Sequence, residues 1–223
     1  MDYEMNSTFD RNLYLRETAF LDFSDSRLRA QARKLTANLE KPADQARALF
    51  FFVRDQITYN PYTSFKRPED YRASVIMARG AGFCIPKASL FAALLRSCDI
   101  PAKFYFADII NHKAPPKIAE IMGNFFAYHC YCGVFLENRW VKAAPTFNRE
   151  LFLRIEVEPN DFDGRHDALL PGTDRFGHPF VEYVKDRGED HDIPFAQIMT
   201  TFSRIYGPET MEKWQASSSP ACR

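Results

Sequence analysis

Apolar residues recur along this chain with two different periods, and the changes of period divide it into elements. Between Ser24 and Leu39 the stripe Leu28, Ala32, Leu35, Leu39 has helical spacing, with Ser24 placed to cap the first turn. Pro42 opens a second helix over about residues 43–55, because a first-turn residue needs no N–H donor. Residues 59–71 form a Pro-rich polar loop, whose Tyr62 and Phe65 either wall a cleft or pack on the fold. A short helix is expected over residues 73–77. In the next segment Phe91, Leu94, Leu95 and Cys98 stand at i, i+3, i+4, i+7 behind Pro86, which predicts a buried helix. Residues 103–109 read as a strand, followed by an insertion at 110–124. That insertion is a loop through Pro115-Pro116 and one or two helical turns through Ile118, Ile121 and Met122, placed either as a lid or as a solvated connection. From Phe125 an aromatic-rich run, a polar turn near Glu137-Asn138-Arg139 and a second apolar run to Asn148 predict a β-hairpin. Beyond it, 151–157 is ambiguous between helix end and strand, 160–167 is a polar turn, 180–184 a strand and 194–206 a last helix. The first 23 residues read as an extended arm with aromatic anchors. The tail after Pro208 is expected to fray.

Two of these elements carry candidate chemistry. Cys84 lies in Gly80-Ala81-Gly82-Phe83-Cys84-Ile85-Pro86, at the start of the buried helix. Orphan N–H groups and the helix dipole stabilise a thiolate at such a place, and the thiolate is the nucleophilic form. His129 lies on the first strand of the hairpin. A thiol and an imidazole far apart in sequence, one on a helix start and one on a strand, suit a Cys–His nucleophile pair. The cluster His129-Cys130-Tyr131-Cys132 lacks a second ligand pair, and strand alternation sends His129 to the opposite face from its neighbours, so no metal site is expected.

Three blocks in order resemble the transglutaminase-like superfamily, a branch of the papain-like fold. They are Ala43–Tyr59, the stretch from Gly80 through Cys84 to Asp99-Ile100-Pro101-Ala102, and His129 followed by Trp140 and Pro145-Thr146. The resemblance implies an α+β fold, with the catalytic cysteine at a helix N-terminus packed on an antiparallel sheet. It implies an arm and helix over 1–42, a catalytic core over 43–150 and an extension over 151–223 packed on the same domain. Cys84 would be the nucleophile and His129 the general base. The family pattern places an aspartate four residues after the tryptophan, to orient the imidazole; here that residue is Ala144. Asn148 is the tentative substitute, because a short turn near residue 138 puts His129 opposite Thr146 or Asn148. Asp108 and Thr146 are alternatives, and Asp161 and Asp163 are later ones.

The implied reaction is acyl transfer through a Cys84 acyl-enzyme, resolved by water or by an amine. The substrate would be a peptide, a protein or an acyl-thioester, and no cofactor is called for. Ala144 motivates the competing class, an inactive fold that binds a peptide in the old cleft. Lys+Arg and Asp+Glu each number 29, so no basic field points to nucleic acid. No apolar run is long enough to span a bilayer. Met1–Asn6 has neither a basic start nor an apolar stretch, and five cysteines without framework spacing suggest reduced thiols, so a cytoplasmic location is expected.

Overall fold

The computed structural model describes residues 10–217. Helix α1 (Ser26–Thr36) buries Leu28 and Ala32, as its stripe requires, but its cap is Asp25 rather than Ser24. The Asp25 carboxylate accepts from the Arg27 and Leu28 N–H groups, two of the donors that a first turn leaves unpaired. Helix α2 (Pro42–Phe51) opens on Pro42 and runs into a π-helical turn, Phe52–Gln56. A short strand β1 (Thr58–Tyr59) pairs in parallel with β2 (Ala81–Gly82). Between them lies α3 (Ala73–Arg79), stopped by Gly80 at φ 67°. Helix α4 (Cys84–Ser97) follows, and every residue from Ile85 to Arg96 is buried.

The main sheet is antiparallel, in the order β5-β4-β3-β6, with β3 at Ala102–Asn111, β4 at Phe125–Leu136, β5 at Arg139–Ala143 and β6 at Val181–Asp190. Strands β4 and β5 make the predicted hairpin. Leu136 pairs with Arg139 across a two-residue turn in which Glu137 and Asn138 both take positive φ, the geometry that matches strand twist. Helix α4 packs on one face of the sheet; Cys130 and Cys132 point into that core, where the Cys132 thiol donates to the Ala88 carbonyl at 3.3 Å. The opposite face carries a second apolar cluster that includes Ala107, Tyr131, Ala144, Phe147, Phe152 and Phe180. Helix α6 (Arg149–Arg154) resolves the ambiguous stretch after the hairpin.

Helix α5 (Pro116–Met122) occupies the insertion, and α7 (Phe195–Ala216) packs on it and on β4. The expected frayed tail is corrected here: α7 continues to Ala216 through a kink at Gly207-Pro208. What holds it is aromatic burial. Trp214 stacks on Phe65 at 4.0 Å, and its indole N–H donates to the Pro61 carbonyl at 2.6 Å. Phe65 is therefore a packing residue and not a cleft wall. Residues 1–9 and 218–223, with Cys222, lie outside the described residues. Among the described residues no helix is long and apolar enough to cross a membrane.

Candidate active site

Cys84 is the first residue of α4 and is half-buried. The approach to it is tight: a Cβ at Gly82 would stand 2.9 Å from the Pro86 Cβ, so the residue two before the thiol has to be glycine. The N–H groups of Cys130, Ile85 and Cys84 itself draw the thiol towards ionisation, but burial outweighs them and pushes it up to about 11. The sequence-based expectation of a standing thiolate is therefore corrected: around Sγ, desolvation exceeds what a helix start supplies.

His129 follows Tyr128, which takes φ 56°. The β3–β4 register shifts at this point: Ala107 faces His129 while Ile109 faces Phe126, so β4 carries a bulge opposite Asp108. Bulges re-aim side chains at functional sites. The His129 ring lies against Tyr131 and Tyr183, with centroids 6.1 and 5.8 Å away. It is 2% exposed, and its Nε2 is buried without a hydrogen-bond partner. Burial alone brings the imidazole down to about 3. The thiol thus borders Cys130, the residue after His129 on β4, and burial disfavours the charged form of both the thiol and the imidazole.

Among the described residues no hydrogen bond joins His129 to Cys84, Asn148, Asp108 or Thr146. The tentative placing of Asn148 beside the imidazole is corrected by its contacts. Its amide donates to the Arg54 and Ile57 carbonyls at 2.6 and 3.1 Å and accepts from the Tyr59 N–H at 2.6 Å. The β4–β5 ladder ends at Cys132 and Ala143, so the hairpin does not carry Asn148 to the imidazole. Thr146, which a continued register would bring level with His129, is buried. Asp108 does sit in the strand beside His129, and it is spent on the bulge. It accepts from the Tyr128 N–H at 3.1 Å and holds the Arg187 guanidinium through both oxygens, one pair at 2.7 Å. Asp161, half-exposed, holds the buried Arg54, and Asp163 pairs with His166 on the surface. Ala144 is fully buried in the apolar cluster, its carbonyl accepting from Asn160 at 2.8 Å.

Sequence reasoning missed Lys87. Its ammonium is fully buried and donates to the same two carbonyls as Asn148, Arg54 at 2.9 Å and Ile57 at 2.6 Å. Burial lowers its pKa well below the usual lysine value. The signal available was a lysine inside the otherwise uncharged run Ile85–Leu95. Lys87 fastens the π-helical turn to α4, and Asn148 fastens it, with β1, to the start of α6.

Three cavities meet at Tyr59. The smallest, about 40 Å³, holds Cys84 and is closed by Ile118 and Met122 of α5 and by Phe202, Tyr206 and Trp214 of α7. The insertion therefore stands over the thiol, one of its two expected placements. On the other side of Tyr59 lie a polar cavity of about 450 Å³, bordered by Asp55, Asn148, Arg149 and Arg154, and an apolar one of about 240 Å³, bordered by Pro115, Pro116, Phe147 and Ile155. The Tyr59 ring meets Phe147 edge-on at 4.6 Å.

Residues 29–145, more than half of the chain, match the transglutaminase-like superfamily. A solved structure of a "putative cysteine protease" from Cytophaga hutchinsonii is similar at a TM-score of 0.51 and 17% identity, over 82% of this chain and 48% of that one. The chain thus spans about half the length of that protein, and a likeness at this identity concerns the fold. A "putative protease" from Parabacteroides distasonis aligns with a TM-score of 0.38 at 10% identity, over 59% of this chain and 24% of that one. No curated protein matches the chain.

Proposed function

The chain belongs to the transglutaminase-like superfamily, and on that premise we propose that it is a cysteine-dependent acyl-transfer enzyme. Cys84 attacks the carbonyl carbon of an amide, ester or thioester. His129 accepts the thiol proton and returns it to the leaving group, and the acyl-enzyme passes to water or to an amine. The N–H groups of Cys84, Ile85 and Cys130 border the thiol and are the available donors for the oxyanion that forms beside it. The observation that carries this reading is their convergence on a thiol that borders Cys130, the residue after His129, whose Nε2 is unpartnered. The resting pair is uncharged, so the proton moves only once substrate has changed the surroundings of the thiol. The 40 Å³ cavity has room for about one water, so access to the acyl-enzyme decides between hydrolysis and transfer.

The test is acylation by a panel of aryl esters and acyl-thioesters at neutral pH, followed by intact mass. An adduct on Cys84 that disappears in Cys84→Ala and forms about 100-fold more slowly in His129→Ala supports the reading. Equal rates with and without the imidazole sink it. The second reading is a peptide-binding module descended from such an enzyme, favoured by Ala144 packed in an apolar cluster where the family pattern has an acid. A peptide that binds without any adduct on Cys84 would support that one instead.

A further inference from the structure

We propose that the two cavities across Tyr59 from Cys84 form the acyl-donor cleft, and that its donor is a peptide-like compound carrying a bulky apolar side chain next to a free carboxylate. This deepens the enzyme reading and rests on Cys84 as its nucleophile. Tyr59 borders all three cavities and is thus the residue common to the open cleft and the thiol's cavity. Helix α5 spans the same divide: Pro116 borders the apolar cavity, and Ile118 and Met122 border the thiol's. A molecule seated in the cleft presses on both barriers.

The chemistry of the cleft selects the occupant. The 240 Å³ cavity has walls of Phe147, Ile155, Pro115 and Pro116, and falls below the roughly 300–1,000 Å³ of whole-ligand pockets, which suits one large side chain. Arg154 borders both cavities and is exposed. The neighbouring cations are paired: Lys113 with Asp174 at 2.9 Å and Arg149 with Asp161 at 3.7 Å. Among the described residues Arg154 has no ion-pair partner, and its planar guanidinium fits a carboxylate. Glu150 borders only the polar cavity, so an anion is steered to the Arg154 end, where the apolar cavity begins.

Three probes separate these features: chloroacetyl-phenylalanine, its amide, and chloroacetyl-glycine. Alkylation forms the Sγ–carbon bond, expels chloride and releases the thiol proton. Rate constants at Cys84 are read by mass spectrometry and divided by the iodoacetamide rate. Chloroacetyl-phenylalanine should react about 10-fold faster than chloroacetyl-glycine, from burial of the ring. It should react about 5-fold faster than its amide, from the carboxylate. Arg154→Gln should erase the second advantage and keep the first; Ile155→Trp, which fills the apolar cavity, should erase the first. Both variants should keep the wild-type melting temperature and iodoacetamide rate. Three equal rates, or advantages untouched by the two variants, overturn the cleft while leaving Cys84 as a nucleophile. A Cys84 that reacts with none of the reagents overturns the enzyme reading and the cleft with it.

Discussion

Asp108 holds the bulge that aims His129, and its removal should be costly. Its side chain is 2% exposed and that of its partner Arg187 is 10% exposed. Asp108→Ala strands a largely buried guanidinium and takes the acceptor from the Tyr128 N–H. Breaking a buried ion pair from one side costs about 3–5 kcal/mol, and much of that is the charge left behind. For a chain of this size each kcal/mol lowers the melting temperature by about 2–4 °C, so a drop of about 10 °C is expected by differential scanning calorimetry. Asp108→Asn keeps an oxygen for the Tyr128 N–H and a neutral acceptor for Arg187, and should lose about half as much. Because His129 sits directly after Tyr128, the asparagine variant should acylate Cys84 nearly as well as wild type once folded, whereas the alanine variant should be slower even well below its melting temperature. Melting temperatures within 2 °C of wild type for both variants would refute the argument. Equal losses in both would move the cost from the bulge to the charge.

Asn148→Ala should destabilise the protein by about 1–3 kcal/mol in urea unfolding, through the orphaned Tyr59 N–H, while changing His129-dependent acylation less than 10-fold; a loss of orders of magnitude would put Asn148 back beside the imidazole. In the resting protein, iodoacetamide labelling of Cys84 should rise with pH towards about 11. His129→Ala should change that profile little, and a plateau already present at pH 7 would contradict it. His129 is neutral when folded, with its pKa depressed to about 3 from about 6.5 unfolded, so it binds protons more readily in the unfolded chain. Stability from this group is whole above pH 6.5 and is lost progressively as pH falls from there to about 3. His129→Gln should flatten that acid limb in melts at pH 7, 5 and 4, and an unchanged limb would show that other groups set it.

What the sequence disclosed is what local patterns encode. Helical spacing from Phe91 to Cys98 placed α4, and the polar turn at Glu137-Asn138 between two apolar runs placed the hairpin. Pro42 marked the start of α2, because each of these signals is read within a few residues. The α+β core and its family were likewise legible from three short blocks. The long-range choices were not. Ser24 reads as the cap of α1, but the Asp25 carboxylate is the one that reaches the Arg27 and Leu28 N–H groups. Pro208 reads as a helix end unless Trp214 is known to find Phe65. A continued hairpin ladder would bring Thr146 level with His129 and Asn148 two residues further along, but the ladder stops at Ala143. The state of the thiol depended on α5 and α7 closing over it, a desolvation that a helix-start argument does not contain. Lys87 was legible as an oddity, but its partners lie some thirty residues earlier.

The chain carries two tryptophans, and one of them borders the thiol's cavity. Trp214 is buried, stacked and hydrogen-bonded, so its fluorescence is that of an indole kept from water. Any event that lifts the second half of α7 from above Cys84 breaks that stack and exposes the indole, and the emission moves to longer wavelength. The helix that shuts the site is thus also its optical gauge, readable without a label on a stopped-flow timescale, with Trp214→Phe as the blank.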